Sequence, residues 1–209
     1  MNFKNKINEL LYILKHPEDG YNTIHTKKTG SVAIALFAGL LWFFSELFTK
    51  QYKNFRFNET NKVDINILYI FLGTFVVLCL FALSNWAICT LFDGEGTLKE
   101  IIIVSGYALY PYVLIKFINI ILSYFLNLNE GVFITILTTV GLLYSVILIC
   151  VGLMQIHNYS FLKLLASVIA TLVGICLILA LVFLMFTLFQ QLYYFIYSIF
   201  DELMMRSLH

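Results

Sequence analysis

Lys116 is the one charge in the stretch IIIVSGYALYPYVLIKFINIIL, residues 101–122. A charge placed near the middle of a bilayer costs on the order of several kcal/mol unless it is paired or hydrated. Asn119 follows three residues later and shares its helical face. Glu46 and Asn85, each inside another apolar stretch, are the further polar groups that could meet it. Pro111 removes a backbone hydrogen bond and frees carbonyls beside it. Together these residues have the chemistry of a small polar site for a lipid headgroup, an ion or a solute. The competing reading is structural: a lysine that snorkels to the interface or pairs with one carboxylate.

A second polar group lies in DGEGTLKE, residues 93–100. Asp93, Glu95 and Glu100 form an acidic cluster, but their spacing fits no calcium loop. Thr97 and Glu100 have the spacing of a capping box, so a helix is expected to begin at Leu98 and the cluster reads as a solvated helix start. His157 sits in IHNYSF without a second ligand at metal spacing and reads as an interfacial turn residue. Cys79, Cys89, Cys150 and Cys176 all lie in apolar stretches and read as small packed side chains. No GxSxG, HExxH, phosphate-binding loop or dinucleotide fingerprint occurs. Neither catalysis, a cofactor nor a metal is therefore expected.

The elements that would position these residues are membrane helices. Residues 161–189 carry a single charge, Lys163, and about 20 such residues in a helix cross a hydrocarbon core of about 30 Å. The 209-residue chain is 61% hydrophobic, 12% charged and formally +1. Soluble domains run at about 45–50% apolar and about 25% charged, and nothing in this balance suggests nucleic acid. The expected fold is all-α and polytopic. Its five spans are residues 31–48, 65–92, 98–126, 132–155 and 162–188, the third kinked or broken between Gly106 and Pro111.

Residues 1–30 should form an amphipathic interfacial helix, its apolar face toward lipid, and a polar segment. The helix is expected to end before Pro17 because His16 is pushed out of helical geometry. Residues 31–190 form the membrane domain. Residues 191–209 should form a second interfacial helix that starts after Gln190 and Gln191; a sixth span is the alternative. Ala166, Ala170 and Gly174 recur every four residues, a spacing that lets another helix approach closely. With the N-terminus in the cytoplasm, Lys4, Lys6, Lys15, Lys27, Lys28, Lys99 and Lys163 lie inside, and Lys50, Lys53, Arg56, Lys62 and Arg206 outside. That bias sets the expected orientation.

Three segments carry a family resemblance: HPED at 16–19, GEGTLKEIIIVSGYALYPYVL at 94–114, and MQIHNYSFLKLLASVIAT at 154–171. In this order they resemble the Yip domain family, the Ypt/Rab-GTPase-interacting membrane proteins, in its short bacterial branch. The resemblance spans about residues 10–190. It implies five transmembrane helices with a cytoplasmic N-terminus, and in eukaryotic members an association with Rab GTPases and vesicle traffic. This chain lacks the long polar N-terminal extension common in those members, so Rab binding is not expected to carry over.

Two functions follow as expectations. The first is a non-enzymatic accessory, scaffold or assembly subunit of the cell membrane, working through membrane lipids and other membrane proteins, a transport complex among them. The second is a small-solute or ion transporter or channel subunit that uses the third helix and Lys116. The sequence does not specify an oligomeric state.

Overall fold

The computed structural model describes residues 3–58 and 65–207, and among them the chain is helical without a strand. The charged-loop residues Glu59, Lys62 and Asp64 lie outside the described residues. Two short helices, α1 (Phe3–Lys15) and α2 (Pro17–Lys27), precede five long ones. These are α3 (Val32–Tyr52), α4 (Ile67–Leu91), α5 (Leu98–Leu122), α6 (Gly131–His157) and α7 (Phe161–Ser207). All five are long and apolar enough to cross a membrane.

Local chemistry sets the boundaries. Asn66 caps α4 by accepting the Tyr69 N–H at 3.1 Å. Thr97 and Glu100 form the box that starts α5. Asn158, with φ 53°, closes α6 in the left-handed region that asparagine tolerates. Pro17 opens α2 as well as closing α1, because the first turn of a helix has no use for the missing N–H. The segment after Pro17 looks polar in sequence, yet Tyr21 and Ile24 fall three apart on one face and are fully buried.

The centre of the bundle is α5, half of whose apolar window is buried against 28% or less for each other span. Ile101, Ile103, Val104, Tyr107, Ala108 and Val113 are enclosed between α3 and α6. Small residues permit this approach. A Cβ on Gly106 would lie 2.5 Å from the Ala35 Cα, and one on Gly152 would lie 2.4 Å from Val104 Cγ1. Without a hydrophobic drive between helices in lipid, such backbone proximity supplies the van der Waals contact that holds them.

Four expectations are corrected. Of the expected kink or break between Gly106 and Pro111, the break is absent: α5 runs through Pro111 uninterrupted. Packing on both flanks holds the helix together there, and the Tyr110 hydroxyl donates to the Ile34 carbonyl at 3.0 Å one residue before the proline. Second, α5 ends at Leu122 rather than Leu126, where the Ser123 hydroxyl turns back to the Ile120 carbonyl at 2.6 Å. Third, α1 does not lay its whole apolar face on lipid. Leu10 and Ile13 are buried in protein, while Ile7, Leu11 and Tyr12 stay exposed. A Cβ on Gly20 of α2 would lie 2.6 Å from Ile13, so the two short helices close on each other.

Fourth, no separate tail helix exists. The fifth span continues through Gln190 and Gln191 as one helix of 47 residues, about 70 Å at 1.5 Å per residue. Glutamine is a good helix former, and neither glycine nor proline occurs after Gly174. Its N-terminal part packs on α4. From Leu179 to Glu202 every residue with a described side chain is exposed except the half-buried Thr187.

Gly106→Leu should push α5 off α3 and destabilise the protein by about 1–3 kcal/mol. Thermal unfolding in detergent should show a lowered midpoint. The same change at Gly73, where an added Cβ meets nothing within 4 Å, should leave it in place.

Candidate functional site

Two polar clusters sit at opposite ends of α5. The first contains Lys116, six residues before the helix ends and so about 9 Å from it. Its ammonium forms an ion pair with Glu46 of α3 and lies 5.4 Å from the centroid of the Tyr112 ring. Glu46 Oε1 also accepts the Trp42 indole N–H at 3.0 Å. Asn119 donates its amide to Thr138 Oγ1 at 2.8 Å and to the Ile134 carbonyl at 3.3 Å. Its Oδ1 is buried without a partner. A cavity of about 30 Å³, lined by Thr49, Lys53, Lys116, Asn119, Ile120, Ile134 and Thr138, lies beside it, room for about one water.

Lys116 thus pairs with Glu46 and shares this cavity with Asn119, while Asn85 lies elsewhere. Asn85 faces α7, where its amide donates to Thr171 Oγ1 at 3.2 Å and its Oδ1 accepts from Cys89 Sγ at 3.6 Å. Ser84 donates to the Thr171 carbonyl beside it at 2.7 Å. This α4–α7 seam runs through Leu164, Ser167, Thr171 and Gly174, all buried. The expected stripe of Ala166, Ala170 and Gly174 is corrected accordingly. Only Gly174 is buried, with room for no Cβ 2.5 Å from Ser84 Oγ, whereas Ala170 is half-buried and Ala166 exposed. The polar residues decide the face, because serine and threonine have hydrogen bonds to satisfy away from lipid and alanine does not.

The second cluster centres on Glu100, whose side chain is 4% exposed. One carboxylate oxygen accepts the Thr97 N–H at 2.9 Å and the Thr97 hydroxyl at 2.8 Å. The other meets Lys28 Nζ at 2.8 Å and His25 Nδ1 at 3.2 Å. His25 Nε2 is 3.7 Å from Glu95, which also accepts the Asn158 amide at 2.8 Å.

Next to it, His157 Nδ1 accepts the Gly96 N–H at 3.1 Å, and the imidazole stacks on Tyr159 at 5.1 Å between centroids. An accepting Nδ1 places the proton of the neutral ring on Nε2. Burial raises the Tyr159 phenol well above its ordinary pKa, reinforced by Cys89 and Asp93, so the hydroxyl remains a donor to the Cys89 carbonyl at 3.4 Å. A Cβ on Gly94 or Gly96 would lie 2.6 Å from the His157 ring. These glycines thus bring backbone directly against it.

Here too the structure differs from expectation. Glu100 is a buried hub rather than part of a solvated loop, and His157 is a buried helix end rather than an interfacial turn. The cluster ties α2, the α4–α5 connection, α5 and α6 together. Its lysine and histidine come from residues 25–28, which carry no sequence signal linking them to residue 100. The capping box, by contrast, was a legible cue to Glu100. Among the described residues no group of three histidine, cysteine or carboxylate side chains is arranged to hold a metal.

A protein-family model described as the Yip1 domain matches residues 11–201. No curated protein and no solved structure matches the chain.

Two stability experiments separate the clusters. Lys116→Met alone leaves Glu46 with an uncompensated charge and should cost about 3–5 kcal/mol, whereas the double variant Lys116→Met, Glu46→Leu should recover most of it. A double-mutant cycle measured by unfolding in detergent reads the coupling directly. Glu100→Ala should cost about 2–4 kcal/mol, because it removes a helix cap and strands the groups around it. Lys28→Met should cost less than about 1 kcal/mol, because the lysine side chain is 62% exposed.

Proposed function

The chain belongs to the Yip1 domain family, and on that premise we propose that it is a non-enzymatic accessory, scaffold or assembly subunit. It works through other membrane proteins in the cell membrane, with its N-terminus in the cytoplasm. The observation that carries this reading is α7. A helix of 47 residues is more than twice as long as a hydrocarbon core of about 30 Å requires.

Past Gln191 the helix still shows Tyr193, Tyr194, Phe195, Tyr197 and Phe200, each at least 60% exposed. Aromatic residues of this kind are enriched both at membrane interfaces and at protein interfaces. Beyond the lipid they need cover that the described residues do not provide. A partner subunit that pairs with the exposed arm supplies it, and a transport complex is one class of partner with membrane helices to offer.

Transport of a small solute or ion through the Lys116 site is the second reading, favoured by the unpaired Asn119 Oδ1. It ranks lower because Lys116 is already neutralised by Glu46 and the adjoining cavity, about 30 Å³, admits about one water. The cavity of about 530 Å³ between α1 and α3 has mostly apolar walls.

Purification of the tagged protein in several mild detergents should yield a stoichiometric membrane-protein partner. A chain truncated after Phe189 should lose that partner while keeping its melting midpoint. Recovery of the bare chain in every detergent, or retention of the partner by the truncated chain, would overturn the reading. A periplasm-dependent reporter fused after the tail should be active and one fused before α1 inactive, as five crossings from a cytoplasmic N-terminus require.

A further inference from the structure

Between α1 and the start of α3 lies a groove of about 530 Å³, lined by Lys6, Ile7, Leu10, Ser31, Ala33, Ile34, Phe37 and Tyr110. Its volume falls within the about 300–1,000 Å³ of small-molecule sites. Its chemistry is graded along the direction in which α3 descends. At the mouth, Lys6 Nζ donates to Ser31 Oγ at 3.3 Å. Ser31 is the N-cap of α3, the residue at which the first span begins.

Deeper in, the walls are Ile34 and Phe37, with Leu10 closing from α1. The only polar group at the inner end, the Tyr110 hydroxyl, is already spent on the Ile34 carbonyl at 3.0 Å. Among the described residues no carboxylate lies within ion-pair distance of Lys6, although Lys28 and Lys116 each have one. Glu9, one turn on in α1, turns a buried carboxylate oxygen toward Tyr107, whose hydroxyl accepts the Ser31 N–H at 2.9 Å, away from the groove's apolar walls.

We propose that this groove binds one membrane phospholipid, its phosphate at Lys6 and Ser31 and one acyl chain running inward past Ile34 and Phe37. Three features fix the occupant. An unpaired cation meets an anion there with charge-assisted hydrogen bonds. The cation stands at the level where the first span begins, which is where phosphates lie. The walls below offer an acyl chain apolar contact and give a polar solute nothing to bond.

The lipid also accounts for the position of α1. Leu10 and Ile13 are held by protein, and a chain in the groove covers Ile7 and Phe37, 37% and 54% exposed without it.

The test uses the full chain in mild detergent, titrated with phosphatidylglycerol, phosphatidylcholine or diacylglycerol and read by native mass spectrometry. One tightly held phospholipid per chain is expected. Diacylglycerol, which lacks the phosphate, should bind at least about tenfold more weakly, the factor that corresponds to the loss of one good polar contact. Lys6→Glu should weaken phosphatidylglycerol by at least about the same factor, and Ala33→Trp should abolish binding by filling the groove. Lys163→Glu, at the start of α7, should change nothing.

A second measurement needs no substitution. A phosphatidylglycerol with a photoreactive acyl chain, reconstituted in nanodiscs, should cross-link mainly to Ile34, Phe37 and Tyr110. Equal binding of diacylglycerol, undiminished binding by both Lys6→Glu and Ala33→Trp, or cross-links spread evenly over the lipid-facing helices would each overturn the proposal.

Discussion

In hydrocarbon a polar group has no water to fall back on, and that constraint orders this molecule. Helices satisfy their own backbone amides, so what must be explained is where the side-chain polar groups go and which helices they join. Three clusters gather such groups from different helices. Lys116 meets Glu46 between α5 and α3, and Asn119 meets Thr138 between α5 and α6. Ser84, Asn85, Ser167 and Thr171 line the α4–α7 seam. Glu100 gathers Thr97, His25 and Lys28 where α5 begins. Each is a helix–helix junction, so the side chains that lipid would reject also specify which helices are neighbours.

The central place of α5 follows from the same logic. It carries Glu100 and Lys116, 16 positions apart and so about 24 Å along the axis. Each is neutralised by a partner from another helix or from its flanking segment. Between them the contact is made by small residues and aliphatic side chains, and Gly106 sets α5 against the backbone of α3. Ion pairs of this kind are weak evidence for net stability, since removing both charges is often harmless. Their value here is registry: a lysine and a glutamate that must meet allow one vertical alignment of α3 against α5 and disfavour the others.

Much of the fold was legible in the sequence because the length of an apolar run and the chemistry of a cap are local. Five runs became five long helices, and TLKE marked the first residue of α5. The misread features depend on tertiary context. Of the kink or break that Pro111 suggested, the break fails because two packed neighbours hold α5 on both flanks. Gln190 and Gln191 looked like the end of the last span's helix, yet glutamine ends no helix without a glycine or proline beside it.

Of the polar site, Glu46 and Asn119 were reachable from residue type, because a buried lysine needs such neighbours. Asn85 could not be separated from them, since its identity says nothing about which face of α4 meets α7. The Glu100 hub was hidden for a similar reason. Its partners lie 72 and 75 residues away in a stretch that looks like polar linker.

These arrangements give the two ends of the chain opposite characters. The N-terminal helices are tied in at several points: Lys6 reaches Ser31, the Tyr144 hydroxyl donates to the Leu14 carbonyl at 2.6 Å, and His25 and Lys28 hold Glu100. The far part of α7 is exposed from Leu179 to Glu202, apart from the half-buried Thr187, at every residue whose side chain is described. A helix with so exposed a surface relies chiefly on propensity, which is marginal in water for short segments and ample in lipid, where an open backbone is far more costly. The arm is thus stable as a helix wherever its surroundings are apolar, and what surrounds it is left open by the rest of the chain. The chain therefore has one end packed into its own core and the other exposed, and the polar side chains that choose helix neighbours are concentrated at the packed end.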